Sequence, residues 1–399
     1  MTIHPSFRNA SPAQLAAAFQ DARNYTLALF DRFQSSGLDD LARVPYLPII
    51  NPPLWELGHI AWFAEWFVLR EAATSHPFAA QRPCLLTAGD RWFDSGNVAH
   101  ATRWRLDLPD TSVIKKYADE VFSRILDKLA HAANDAKTLY PYRLVLAHED
   151  MHGEAFSYTL QTLGLAALPP LLAQTFLPVP QADLHFAGGT FQLGSPATHE
   201  FVFDNEKWAH EISLPAFTIS STLVSNAQYQ QFIGAGGYEK MQYWSDAGRA
   251  WLASNNRATP RYWQGDGKQC QRFGMSMELP DNEPVRHVNL YEAQAYCHWA
   301  GRRLPSEAEW EFAACSGQQN FQQNFHWGDL WEWTRSPFEP YPGFSADAYL
   351  EYSAPWFGTH QVLRGASFAT QQRISSPRYR NFFTPERDDI FAGFRTCAD

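Results

Sequence analysis

Between residues 11 and 164, apolar side chains recur at helical spacing in four long stretches. The first, SPAQLAAAFQDARNYTLALFDRF, opens on Ser11, whose hydroxyl suits an N-cap. The second, PPLWELGHIAWFAEWFVLREAA, begins on prolines, which fit the first turn of a helix. The third, DTSVIKKYADEVFSRILDKLAHAA, starts at Asp110. The fourth, YPYRLVLAHEDMHGEAFSYTLQTLG, stops at Gly164, with prolines beyond. Four such helices predict a four-helix bundle over residues 1–164.

The texture then changes. LAALPPLLAQTFLPVPQ is proline-rich and lacks helix punctuation, which predicts a linker over 165–184. Residues 185–399 are rich in Gly, Pro, Trp and Asn, with short strand-like runs such as FVF, FTIS and QVLRG. Helical patterns stand out near 225–233 and 291–315. The fold class is therefore α plus α+β: a bundle, then an irregular α+β domain, with no fixed-period repeat.

Composition narrows the function classes. The 399 residues are 45% hydrophobic and 19% charged, a soluble globular balance. A net charge of −10 argues against nucleic acid as a partner. No apolar run reaches membrane-spanning length, so no membrane partner is expected. MTIHPSFRNASPAQL carries no secretory pattern, and the cysteines (Cys84, Cys270, Cys297, Cys315, Cys397) are odd in number and scattered. Both features lead to the expectation of a cytoplasmic protein without a cysteine-based metal site. Aromatics make up 15% of the chain, enough to line a pocket for a cationic ligand as well as to pack a core.

The candidate chemistry lies in LAHEDMHGEA. His148 and His152 are one turn apart, about 6 Å of rise along one helix face. That spacing offers two imidazoles to one divalent metal; equally, one histidine could be a core residue and the other a surface residue. His59, in an apolar stretch of the second helix, adds a third imidazole and favours the metal. The letters also spell the H-E-x-x-H of zinc hydrolases, with Glu149 as base, but the stretch just after His152 offers Glu154 and no nearby histidine to complete that site. Spacing alone leaves iron and zinc both open.

The second half carries more specific patterns. FAGGTFQLGS, VSNAQYQQFI, PVRHVNLYEAQAYCHWAGRRLPSEAEWEFAA, WEWTRSPF, VLRGASFAT and AGFR resemble, in order, the motifs of the formylglycine-generating-enzyme (sulfatase-modifying factor) fold, a C-type-lectin-like domain. Catalytic members use a C-terminal cysteine pair, but here the segment reads FATQQRISSPRYRNFF, so the formylglycine reaction is not expected. A DinB-like bundle with GHIAWF and H-x-x-x-H, fused to this domain, resembles the ergothioneine-pathway sulfoxide synthases and the selenoneine synthases. The resemblance implies iron(II) held by His59, His148 and His152, with O2 as co-substrate. It implies joining of selenium or sulfur to the imidazole of hercynine (trimethylhistidine). GFSADAYLEYSAPWFG resembles the segment with the active-site tyrosine, making Tyr349 catalytic with Tyr352 beside it. PRYRNFF resembles the hercynine-binding segment, which brings Asn381, Phe382 and Phe383 to the substrate.

Departures from the family pattern bear on the donor. Met151 stands where several members have Gln. Phe382-Phe383 replaces a Trp-Asp whose carboxylate serves the ammonium of γ-glutamylcysteine. Arg103 and Arg105, in HATRWRLD, are candidates for holding a substrate carboxylate; equally, they could be solvated surface residues. Loss of the acid favours a neutral selenosugar, and so a selenoneine synthase, over a synthase using γ-glutamylcysteine or cysteine. A non-catalytic binding module remains a third class, since lectin-like domains often only bind.

Overall fold

Ser11 caps the first helix as its sequence requires. Its side chain accepts from the Gln14 N–H, while the Gln14 side chain accepts from the Ser11 N–H, forming a capping box. In the computed structural model, which describes residues 6–176, 181–198, 200–265, 267–319 and 325–399, this helix is α1 (Pro12–Ser35). α2 (Pro53–Ala64) starts on its prolines and widens at its end into a π-helical turn, Glu65–Leu69. A short α3 (Gly89–Phe93) and a 3-10 segment (His100–Arg105) lead to α4 (Thr111–Leu129) and α5 (Ala136–Thr162). α5 begins a turn earlier than the YPYR pattern predicts, because Asp135 caps it by accepting from the Thr138 N–H at 2.9 Å. Pro141 is thus within the helix.

α1 packs on α5, and α2 is wedged between α4 and α5. Every residue of α2 is buried. A helix apolar all round is stable only inside a core, so the charged and polar residues on α2, Glu56 and His59, must find partners there.

Leu168 leads into a short helix, Pro169–Leu172, within the predicted linker, and a strand already begins at Asp183. Residues 177–180 of that linker lie outside the described residues, as do 1–5 of the N-terminal stretch and 320–324. In the second half one sheet runs in the order Asp183–Phe186, Phe217–Ser220, Cys397–Ala398, Arg302–Arg303. A second runs Asn381–Phe383, Gln361–Arg364, Trp331–Pro337, Ala392–Gly393. Its pairs are antiparallel except the last.

Three sequence expectations need correction. The helix expected over 291–315 is two, Leu290–Ala300 and Glu307–Gln319, because Gly301 adopts a left-handed C-cap (φ 61°) and a two-residue strand follows. FVF is not a strand; Phe201 and Phe203 leave the sheets to pack on Phe7. A further helix, Asp246–Asn255, lies in a stretch without a strong apolar stripe.

Candidate metal centre

α2 brings His59, and α5 brings His148 and His152, to one point. One ring nitrogen of each lies within 4.8 Å of the others, the one such group of three or more metal-ligating side chains among the described residues. The Nε2 atoms of His148 and His152 are 3.2 Å apart, the separation two nitrogens have when both bind one cation from about 2.1 Å at roughly a right angle.

The opposite ring nitrogens explain this aim. His59 Nδ1 lies 2.8 Å from the carbonyl oxygen of Phe93, which can only accept, so Nδ1 carries the proton and Nε2 faces inward as a lone pair. His152 Nδ1 lies 2.6 Å from Glu56 Oε1, with the same consequence. These are the outer partners that metal-binding histidines ordinarily have. His148 is held by packing instead: its ring stacks on Phe63 at 3.6 Å and 6°, and its buried Nδ1 has no hydrogen-bond partner among the described residues. Burial first, then the neighbouring His152, pushes the pKa of His59 and of His148 well below the ordinary histidine value. Both therefore stay neutral at pH 7, as metal ligation requires. The donor set thus fits a divalent cation, with three nitrogens fixed and further coordination positions free.

Gly58 makes the His59 bond possible. A Cβ there would overlap the ring of Phe93, so only glycine lets α3 come close enough to deliver its carbonyl. A glycine inside so apolar a helix signals such an approach in the sequence. Glu56 was also legible in principle, since it lies three residues before His59 on the same face.

Glu149 does not join the site. It is buried toward α1, with Arg23 Nη2 at 3.4 Å, so the hydrolase base expected from H-E-x-x-H is turned to an ion pair.

A file of aromatic rings runs from the histidines into the second half. Tyr349 lies edge-on to His148 (6.1 Å) and Phe63 (4.9 Å), Tyr352 is 5.9 Å from Tyr349, and Phe382 is 6.0 Å from Tyr352. Burial first, then the Glu351 carboxylate, raises the Tyr349 phenol well above its ordinary value, so it keeps its proton. Main-chain bonds hold its loop against the helical half: Ser75 N–H donates to the Ala348 carbonyl (2.8 Å), and Leu350 N–H donates to Ser75 Oγ (2.9 Å).

A scan against family models matches residues 177–329 and 324–399 to the sulfatase-modifying factor enzyme 1-like domain. A hercynine oxygenase from Mycolicibacterium thermoresistibile is 35% identical, over 97% of this chain and 95% of its own. Another, from Mycobacterium tuberculosis, is 34% identical over 98% and 99%. The chain belongs to the hercynine oxygenase family. A formylglycine-generating enzyme from Thermomonospora curvata, 28% identical, aligns with only 53% of this chain, although with 91% of its own length. The hercynine oxygenase relatives thus extend across the helical half, which carries the three histidines.

Of the remaining sequence candidates, Arg103 is half-buried with its guanidinium 3.9 Å over Trp55, which itself stacks on His59 at 4.9 Å and 8°. It donates to Asn51 Oδ1 at 2.7 Å, its Nε has no partner among the described residues, and burial lowers its pKa to about 10. Arg105, by contrast, is exposed, because the 3-10 turn that aims residue 103 inward sends 105 to solvent. Met151 is half-buried against the core. Asn381 lies on the edge strand and accepts from the Phe382 N–H at 2.9 Å. Phe382 stacks one face on Phe338 at 4.1 Å. The Phe383 ring is covered by the Arg387 guanidinium at 4.9 Å, so the cation it holds is the protein's own. Sequence reasoning missed Arg387, which Asp389, two residues on, fixes in place with bonds of 2.6 and 2.8 Å; the charge pair in PERDD was the available signal. Among the described residues no helix is long and apolar enough to cross a membrane.

Proposed function

We propose that this chain is an iron(II)-dependent enzyme that uses dioxygen to join selenium to the imidazole of hercynine, with a selenosugar as donor: a selenoneine synthase. The observation that carries the reading is the meeting of three inward imidazole nitrogens from two buried helices beside the ring of Tyr349. The relatives' name, hercynine oxygenase, supports the substrate and the oxygen dependence. In this reading residues 1–164 are a DinB-like bundle, 165–184 a linker and 185–399 the lectin-like domain, in a cytoplasmic protein.

His59, His148 and His152 would hold the ferrous ion, which supplies the redox chemistry linking both substrates to dioxygen. Tyr349 holds a proton at its phenol oxygen, ready for donation as bond formation proceeds. Tyr352 and Phe382 offer ring faces to the trimethylammonium group, with Asn381 beside them. Bringing donor and imidazole together in one cleft removes much of the entropic barrier. The donor follows from Phe383: where some relatives' pattern has a carboxylate, this chain has a ring covered by a guanidinium, a poor neighbour for a substrate ammonium. One observation favours a second reading, an ergothioneine-pathway synthase using γ-glutamylcysteine or cysteine: the half-buried Arg103, with an unpaired Nε, suits a donor carboxylate.

An oxygen electrode separates these. With hercynine and iron present, a selenosugar is expected to drive rapid oxygen uptake and a carbon–selenium product. Faster turnover with γ-glutamylcysteine or cysteine would transfer the assignment to the sulfur enzyme. No uptake with any donor would leave a hydrolase or a binding module.

A further inference from the structure

Along α5, three carboxylates alternate with the histidines: Glu149, Asp150 and Glu154, each no more than 8% exposed. A buried carboxylate persists only when its oxygens are satisfied. Glu149 turns to Arg23 on α1. The other two turn to the second half of the chain. Asp150 receives a two-pronged bond from Arg373, Nε at 2.7 Å and Nη2 at 2.6 Å, while Nη1 of the same guanidinium reaches Asp21 on α1 at 2.6 Å. Glu154 receives three donors: Trp331 Nε1 (2.8 Å) and Ser367 Oγ (2.5 Å) on one oxygen, Thr370 Oγ1 (2.6 Å) on the other. The hydroxyls are pre-aimed, since the Ser367 N–H donates to Thr370 Oγ1 and the Ala369 N–H to Ser367 Oγ.

Asp150 lies between the two metal-site histidines and Glu154 two residues beyond the second. Five charge-assisted bonds therefore grip the one and a half turns of helix that aim His148 and His152. Packing alone would leave that rotation less determined, because the His148 Nδ1 has no hydrogen-bond partner among the described residues. Three of the four donor residues, Ser367, Thr370 and Arg373, lie in the segment VLRGASFATQQR.

We infer that Asp150 and Glu154 are positioning residues, through which Trp331, Ser367, Thr370 and Arg373 of the second half set the convergence of His148 and His152 and hence the affinity of the triad for its cation. This rests on the reading of the triad as a metal site. Docking of the lectin-like half then does two jobs: it walls the cleft and it tightens the metal centre in the other half.

The test uses the full-length metal-free chain and cobalt(II) alone as probe, read by its visible absorption and by competition with a chelator, at a temperature where circular dichroism shows every variant folded. Glu154→Ala is expected to weaken cobalt binding by about 10- to 100-fold and to alter the absorption band. Ser367→Ala/Thr370→Val, which removes two of the three bonds from the other side, is expected to weaken binding in the same direction, and Glu154→Gln to restore most of the affinity. A merely structural role would lower the melting temperature and leave affinity and spectrum unchanged in the folded variants; that result overturns the inference. If wild type and His148→Ala bind cobalt alike, the metal reading itself fails, and the inference with it.

Discussion

Gly58→Ala is a small change with a large expected effect. The added Cβ would fall inside the ring of Phe93, which is fully buried and has no room to retreat. Overpacking of a tight core costs about 1–3 kcal/mol, against a gain of roughly 1 kcal/mol for replacing glycine within a helix. The net loss is then about 0–2 kcal/mol, modest for stability. The site should suffer more, because the residue displaced is the one whose carbonyl fixes the proton and orientation of His59 at 2.8 Å. Loss of an outer partner of this kind lowers metal affinity by about 10- to 100-fold. Urea unfolding of the metal-free protein gives the first quantity, and anaerobic iron(II) titration the second. Phe93→Leu in the same background should relieve part of the clash, so the two changes should couple by more than about 0.5 kcal/mol in a double-mutant cycle. Unchanged iron affinity in Gly58→Ala, or strictly additive stabilities, would refute the claim that this contact holds His59 in place.

Replacing His59, His148 or His152 singly by Ala should abolish stoichiometric iron by elemental analysis; full retention in the His59 variant would dismantle the triad. Tyr349→Phe should leave folding intact but cut product formation by about 10²- to 10⁴-fold, with oxygen consumed unproductively, as read by mass spectrometry beside an oxygen electrode. Asp204 is buried with one carboxylate oxygen unpartnered among the described residues, and burial pushes its pKa up to about 6. The folded state therefore holds its proton more tightly than the unfolded chain, and this group's contribution to stability falls as pH rises from about 4 to 6. Asp204→Asn should stabilise the protein at pH 7, by up to about 3 kcal/mol, and bring no gain below pH 4; a pH-independent effect in urea melts would contradict that account.

Much of the helical half was legible because its signals are local. Ser11, the prolines at 52 and 53 and Gly164 punctuate helices, and the apolar stripes set their faces. The histidines were legible because α5 places residues four apart on one face and the surroundings of His59 are apolar. What escaped was decided between distant segments. The Phe93 carbonyl reaches His59 only through a loop whose length hides the contact. Arg103 and Arg105 look alike in sequence; one 3-10 turn separates a half-buried cation from an exposed one. The divided helix at Gly301 shows the same limit, since a glycine in an apolar run signals either an approach or a break, and only the neighbouring strands decide which.

The loop that bears Tyr349 is anchored to Ser75 by bonds from and to the main chain at residues 348 and 350, not by its side chains. A substitution of the Leu350 side chain should therefore leave the phenol where it is. Position 351 is different: its carboxylate helps raise the Tyr349 phenol, so Glu351→Gln should make that phenol more acidic without displacing it.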